Sequence, residues 1–138
     1  MNQRGTIDFL ICKVGVALVV VLLVAAVLGM AGSFSRVATR NELGVIADQI
    51  RHTLRIIDGM PGEVQLEREL PSVEQMFGIT IVGTLSDGTQ IIRIAVGGRI
   101  ERVIMLTNKV NNGEFELSRH SPTAIRLTKT DQIYLELI

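Results

Sequence analysis

Apolar and polar positions follow three successive patterns along the chain. From Val14 to Gly32, nineteen consecutive residues carry neither a charge nor a polar side chain, and the uncharged run continues through Ser33, Phe34 and Ser35 to Arg36. At ~1.5 Å per residue the nineteen span roughly 28 Å, about the thickness of a bilayer's hydrocarbon core. A helix packed on a globular core would keep a polar face, and this segment has none. The pattern predicts a membrane-spanning helix. A secretory signal peptide is the other reading, with Arg4 and Lys13 as its basic region, Val14 to Leu28 as its apolar region and Gly29-Met30-Ala31 as its cleavage-like site.

After Arg36 the apolar residues recur in steps of three and four, at Leu43, Ile46, Ile50, Leu54 and Ile57, while Asp48, Arg51 and Arg55 fall off that line. This is the stripe of an amphipathic helix, which a folded domain or a partner helix has to cover. Asp58-Gly59-Met60-Pro61-Gly62 ends it, because Pro61 biases Met60 away from helical geometry.

From Glu63 onward the period drops to two. Val64, Leu66 and Leu70 alternate with polar residues, and short strands are predicted at 79–85, 90–96, 99–106, 114–118, 123–128 and 132–137. Ser86-Asp87-Gly88-Thr89, Gly97-Gly98, Asn111-Asn112-Gly113 and Pro122 mark turns between them. The predicted class is α+β: a long N-terminal transmembrane and amphipathic helix followed by an antiparallel all-β head, a sandwich or small barrel. Its expected divisions are a leader at 1–5, a helix at 6–58 with its membrane part at about 9–35 and its amphipathic part at 36–58, and a head at 63–138. The head is expected to fold without the helix.

Composition narrows the chemistry. Lys plus Arg and Asp plus Glu are 14 each, so the formal net charge is zero, and a nucleic-acid partner is not expected. Apolar residues make up 47% while aromatics are 4%, so the excess is aliphatic. Cys12 is the one cysteine, which excludes an intramolecular disulfide and a zinc site built on several thiolates. His52 and His120 are far apart in sequence, Ser118, His120 and Ser121 fall in a polar turn without a nucleophile motif, and Glu67, Glu69, Glu114 and Glu116 read as a solvated sheet face. No catalytic, metal or cofactor site is expected, and the chain is not expected to be an enzyme.

The apolar segment itself holds the remaining candidates. Ala25, Gly29 and Ser33 are four apart, on one helix face, where small side chains let a second helix approach closely; a span rich in Ala and Gly also produces such spacing by chance. Asp8 and Lys13 border the run and lie about 140° apart around a helix, too far to pair within it. They either snorkel to the interface or meet charges on neighbouring subunits.

A short basic leader, Met1-Asn2-Gln3-Arg4-Gly5, leading into Thr6-Ile7-Asp8-Phe9-Leu10 and a long apolar helix, resembles the precursors of archaeal type IV pilin-like proteins with a class III signal peptide. The amphipathic segment Gly44-Val45-Ile46-Ala47-Asp48-Gln49-Ile50, the Met60-Pro61-Gly62 break and Leu70-Pro71 before an all-β region look like that family too. The resemblance implies a cut after Gly5 by a prepilin-type signal peptidase, leaving Thr6 as the new N-terminus with the apolar helix retained. Where the family often has Gln and Glu at the first and fifth mature positions, this sequence has Thr6 and Leu10, so Asp8, at the third, is the candidate to neutralise a neighbour's N-terminal amine. The implied function is structural: a pilin-like subunit or minor pilin of a surface filament, single-pass in the membrane, with an extracellular C-terminal domain and homo- or hetero-oligomeric contacts to other pilin-like subunits. Charge alone points the other way, since Arg36, Arg40, Arg51 and Arg55 beyond the span would hold the head in the cytoplasm. The alternative function is a membrane-anchored binding module, resembling stator-type accessory proteins, whose head contacts an envelope layer or a filament motor.

Overall fold

The computed structural model describes the backbone of residues 3–138 and the side chains of 5–33 and 39–138; Met1 and Asn2 of the expected leader, and the side chains of Arg4 and Arg36, lie outside the described residues. One helix, α1 (Gln3–Gly59), precedes seven strands: β1 (Val64–Glu69), β2 (Gly78–Ser86), β3 (Thr89–Val96), β4 (Ile100–Met105), β5 (Phe115–His120), β6 (Ala124–Lys129) and β7 (Ile133–Leu137). The fold is α+β, a long apolar N-terminal helix followed by antiparallel sheets. By compactness the chain divides into two units, Met1–Ala38 and Thr39–Ile138.

Within the second unit the strands form a three-stranded sheet in the order β1-β6-β7 and a four-stranded sheet in the order β4-β3-β2-β5, with every pair antiparallel. Alternation puts Ile79 and Ile81 of β2 opposite Val96 and Ile94 of β3, and Leu66 of β1 opposite Leu127 of β6, which in turn faces Leu135 of β7. The outward row Glu67, Arg126 and Glu136 is closed by ion pairs of 3.0 and 3.6 Å from the Arg126 guanidinium. At the β2–β3 hairpin Asp87 and Gly88 have φ of 50° and 78°, a turn whose twist matches the strands it joins. Gly83 marks a close approach: a Cβ there would sit 2.6 Å from Phe115 Cδ1, so the ring of β5 lies directly over the backbone of β2.

The C-terminal part of α1 belongs to this unit. Leu43, Ile46, Ala47, Ile50, Leu54 and Ile57 are buried in one cluster with Ile81, Ile94, Leu127 and Leu135 from the two sheets. The cover that the stripe requires is thus the chain's own head. This changes one expectation: strands 63–138 do not make a complete core, because six apolar side chains of it arrive on the helix.

Polar contacts fasten the same helix at its sides and end. Asp48 accepts a 2.9 Å bond from Arg102 Nε of β4 and lies 3.0 Å from Arg51 Nη2, while Gln49 Nε2 donates to the Glu69 carbonyl of β1. At the C-terminus Lys129 Nζ of β6 donates to the carbonyls of Ile57, Asp58 and Met60, groups that the end of a helix leaves without intrahelical partners. Gln90 of β3, buried, donates to the carbonyls of Val110 and Gly113 and accepts from Val110 N, holding the loop between β4 and β5 in place. That loop also bonds the edge of β7, through Asn111 N to Ile133 O and Ile133 N to Lys109 O.

Candidate functional site: an exposed apolar helix

The part of α1 from Gly5 to Ser33 is long and apolar enough to cross a membrane, and none of it is buried within the chain. Leu18, Val21 and Leu28 are 61%, 66% and 67% exposed, values that would be costly in water for an entire segment of this kind. The segment therefore needs an apolar environment supplied from outside the chain. Among the residues singled out on it, Gly5 and Thr6 are both exposed, and no side chain stands near Gly5.

Ala25, Gly29 and Ser33 share a face, and a Cβ added at Gly29 would meet nothing within 4 Å. Ser33 Oγ donates to the Gly29 carbonyl at 3.1 Å. That bond satisfies the hydroxyl inside its own helix, so it does not need water and is compatible with hydrocarbon. The face is small, smooth and internally satisfied, the condition for close approach of another helix.

Asp8 and Lys13 do not meet. Lys13 Nζ lies instead 4.6 Å from the centroid of the Phe9 ring, one helical turn back, a cation–π contact that keeps the ammonium against an aromatic face. Among the described residues Asp8 has no ion pair. Cys12 is a free, exposed thiol on the same stretch.

The head presents a different chemistry. Ser118 Oγ is 3.2 Å from Thr80 Oγ1, a cross-strand hydroxyl pair, and His120 is exposed at the end of β5, so of the three residues expected in a polar turn Ser118 and His120 lie on the strand and Ser121 alone follows it. Among the described residues no cluster of His, Cys, Asp or Glu has the arrangement to hold a metal ion. Two carboxylates at the helix are held below their usual range, as is exposed Asp131 through the hydrogen bond from the Thr130 hydroxyl. Arg102, hydrogen-bonded to Asp48, lowers its pKa against the opposing effect of burial, with Arg51 adding to the pull. Asp58 is raised by burial, but the amide donors of Thr107 and Asn108, the Asn108 side chain and Lys129 together bring it down. Both groups fasten the helix to the strands rather than face an opening. A cleft of 490 Å³ lies between β1 and the Ser121-Pro122 corner, walled by Leu70, Val73, Phe77 and Pro122 with Glu69 at its border.

Sequence reasoning passed over three arginines that organise the head's edges. Arg68, Arg102 and Arg119 lie on the outermost strands or beside the gap between sheets, and each falls in the apolar phase of its strand's alternation, after Leu66, between Ile100 and Ile104, and after Leu117. Arg102 bonds Asp48, Arg68 Nη1 lies 3.5 Å from Thr53 Oγ1 on the helix, and Arg119 Nη1 donates to the Leu137 carbonyl of the other sheet at 3.0 Å. A charge in the apolar phase of a strand was the signal that could have found them.

No protein-family model, no curated protein and no solved structure matches this chain.

Proposed function

We propose that this chain is a structural pilin-like subunit or minor pilin of an archaeal surface filament, assembled through its N-terminal hydrophobic helix. The observation that carries the reading is the exposed apolar stretch Gly5–Ser33, in a helix whose later turns are locked into the core of a β head. Such a chain hands one long apolar element to other molecules while presenting a folded, polar-surfaced domain. The small face at Ala25, Gly29 and Ser33 supports helix-to-helix packing as the way that element is used. On this reading a prepilin-type peptidase cuts after Gly5, Thr6 begins the mature protein, the head lies outside the cell, and Asp8 is available to a neighbouring subunit's amine.

A second reading is favoured by the outer face of the four-stranded sheet. Val103 and Met105 are 50% and 68% exposed there, next to half-buried Val82 and Ile91, whereas the outer face of the other sheet carries the Glu67–Arg126–Glu136 row. A membrane-anchored module that contacts an envelope layer or motor through its head would use such a face.

The mature N-terminus, read by mass spectrometry on protein from native membranes, tests the first reading. Thr6 as first residue and loss of processing in Gly5→Leu are expected for a pilin-like subunit. A chain that keeps Met1 or Asn2 in membranes would leave the anchored module standing instead.

A further inference from the structure

Of the five asparagines in the chain, Asn112 alone is followed by glycine. That dipeptide has a chemistry of its own. The nitrogen of Gly113, with no Cβ beside it, can attack the side-chain carbonyl carbon of Asn112 and close a cyclic imide. A bond forms between Gly113 N and Asn112 Cγ, the Cγ–Nδ2 bond breaks, and Nδ2 leaves as ammonia, taking up through solvent the proton that Gly113 N gives away. Water then adds to either imide carbonyl and opens the ring to Asp or to isoAsp.

The loop between β4 and β5 engages both partners of this reaction. Asn111 and Asn112 have φ of 45° and 66°, and Gly113 N donates to Val110 O at 2.9 Å, which makes Val110–Gly113 a type I′ turn. The attacking nitrogen is thus bonded to a carbonyl. The side chain under attack is held from the other direction by Gln132, just before β7, which accepts from Asn112 N at 2.8 Å through Oε1 and donates from Nε2 to Asn112 Oδ1 at 2.7 Å. Gln132 Nε2 also donates to Tyr134 Oη at 3.1 Å, which steadies the amide in that orientation. Asn112 is exposed, and among the described residues its Nδ2 has no hydrogen-bond partner, so water reaches the group that would leave.

Donation to Oδ1 acts in two directions. It draws electron density from Cγ, which favours attack, and it fixes the side chain on Gln132, which opposes attack. Restraint governs, because the ring cannot close until Gly113 N has left Val110 O and the side chain has turned toward it. The rate in the folded chain is then the rate of the open dipeptide multiplied by the fraction of time the turn is open. Each bond that Gln132 makes to Asn112 lowers that fraction by about two- to tenfold.

We infer that Asn112-Gly113 is a site of spontaneous deamidation in this chain and that Gln132 sets its rate. The reaction bears on the fold, because the same loop covers the outer edge of β7: Asn111 N donates to Ile133 O, Ile133 N to Lys109 O, and Leu135 N to Asn111 Oδ1. An isoAsp at 112 puts an extra carbon into the main chain directly after Asn111 and loosens the cover of that edge. The inference rests on neither functional reading and is independent of membrane insertion and of filament formation.

The test incubates the purified full chain in detergent at mildly alkaline pH, beside the same chain unfolded in urea, and follows the Asn112 peptide by mass spectrometry, with isoAsp and Asp products separated by chromatography. Asn41 and Asn108 in the same digests are the internal controls. The expected result is deamidation concentrated at Asn112, slower in the folded chain than in urea, and faster in folded Gln132→Ala by about two- to tenfold per lost bond. Tyr134→Phe, which releases one side of Gln132 without touching Asn112, should give a smaller rise. Equal rates in the folded and unfolded chain overturn the inference, and so does an unchanged or slower rate in Gln132→Ala. A matching rise at Asn41 and Asn108 in Gln132→Ala also overturns it, because the substitution has then loosened the head as a whole. No reaction at Asn112 in urea removes the site itself.

Discussion

Arg102 of β4 and Asp48 of α1 meet at 2.9 Å, Nε to Oδ1, and so tie an edge strand to the helix that completes the core. The pair joins residues far apart in sequence, and its acidic partner titrates below the ordinary carboxylate value of 3.8. A carboxylate whose pKa is lowered by folding contributes stability that is present above its unfolded value and is lost as pH falls through the folded one. Thermal melts of the protein are therefore expected to drop on acidification below about pH 4. The drop should be smaller in Asp48→Asn, which at pH 7 is itself expected to be less stable by about 0.2–1 kcal/mol, since both partners are partly exposed. An unchanged acid profile in Asp48→Asn would assign the acid sensitivity to other groups.

Removing the helix should remove the head. A fragment of residues 63–138 lacks Leu43, Ile46, Ala47, Ile50, Leu54 and Ile57, and it is expected to show no cooperative denaturant transition, whereas 39–138 unfolds cooperatively. In the longer fragment Ile50→Ala, at a side chain with no exposure, should cost about 2–5 kcal/mol. Circular dichroism and urea titration of the two fragments check this directly.

Asp58 holds the β4–β5 loop onto the end of the helix by accepting from Thr107 N at 3.0 Å and from Asn108 N and Nδ2 at 2.9 and 2.8 Å. Asp58→Ala leaves those donors without their partner and should destabilise the head by about 1–3 kcal/mol. Amide exchange at Thr107 and Asn108 should quicken before exchange in β2 or β3 does.

Within the apolar stretch two substitutions separate insertion from assembly. Val21→Asp is expected to oppose membrane insertion by about 2.5–3.5 kcal/mol, read as loss from the alkali-resistant membrane fraction. Gly29→Leu keeps the stretch apolar, so the protein should stay in membranes while crosslinking between copies and incorporation into fibres decline. Unaltered fibres containing Gly29→Leu would remove this face from the assembly.

Much of the head is legible in the sequence because its strands are short, half-buried and punctuated. Alternation at Ile92, Ile94 and Val96 needs only period two, and Asp87-Gly88 marks its own hairpin by tolerating positive φ. The stripe at Leu43, Ile46, Ile50, Leu54 and Ile57 is equally plain, yet its partner is not, because periodicity says that a face is buried and never what buries it. Thr53 is buried as well, and its hydroxyl back-bonds to the Gln49 carbonyl at 2.7 Å, which a hydropathy pattern does not register. Gln90 hides for the same reason: only the three-dimensional course of the 110–113 loop turns that amide into a bracket. Ser121, with φ of 45° before Pro122, adopts a left-handed conformation that no residue preference announces. At the apolar helix, sequence and structure agree on an element long and apolar enough to cross a membrane, and a Cβ on Gly29 would meet nothing within 4 Å.

The shared core has a consequence for how the polypeptide emerges during synthesis. The stripe ending at Ile57 leaves the ribosome about 80 residues before Leu137, and β1 cannot find β6 until Lys129 has been made. At roughly 5–20 residues per second, that leaves six apolar side chains uncovered for about 4–16 s. For that interval the stripe from Leu43 to Ile57 has no strands to cover it, while Arg40, Glu42, Asp48, Arg51 and Arg55 keep the rest of that helical stretch polar.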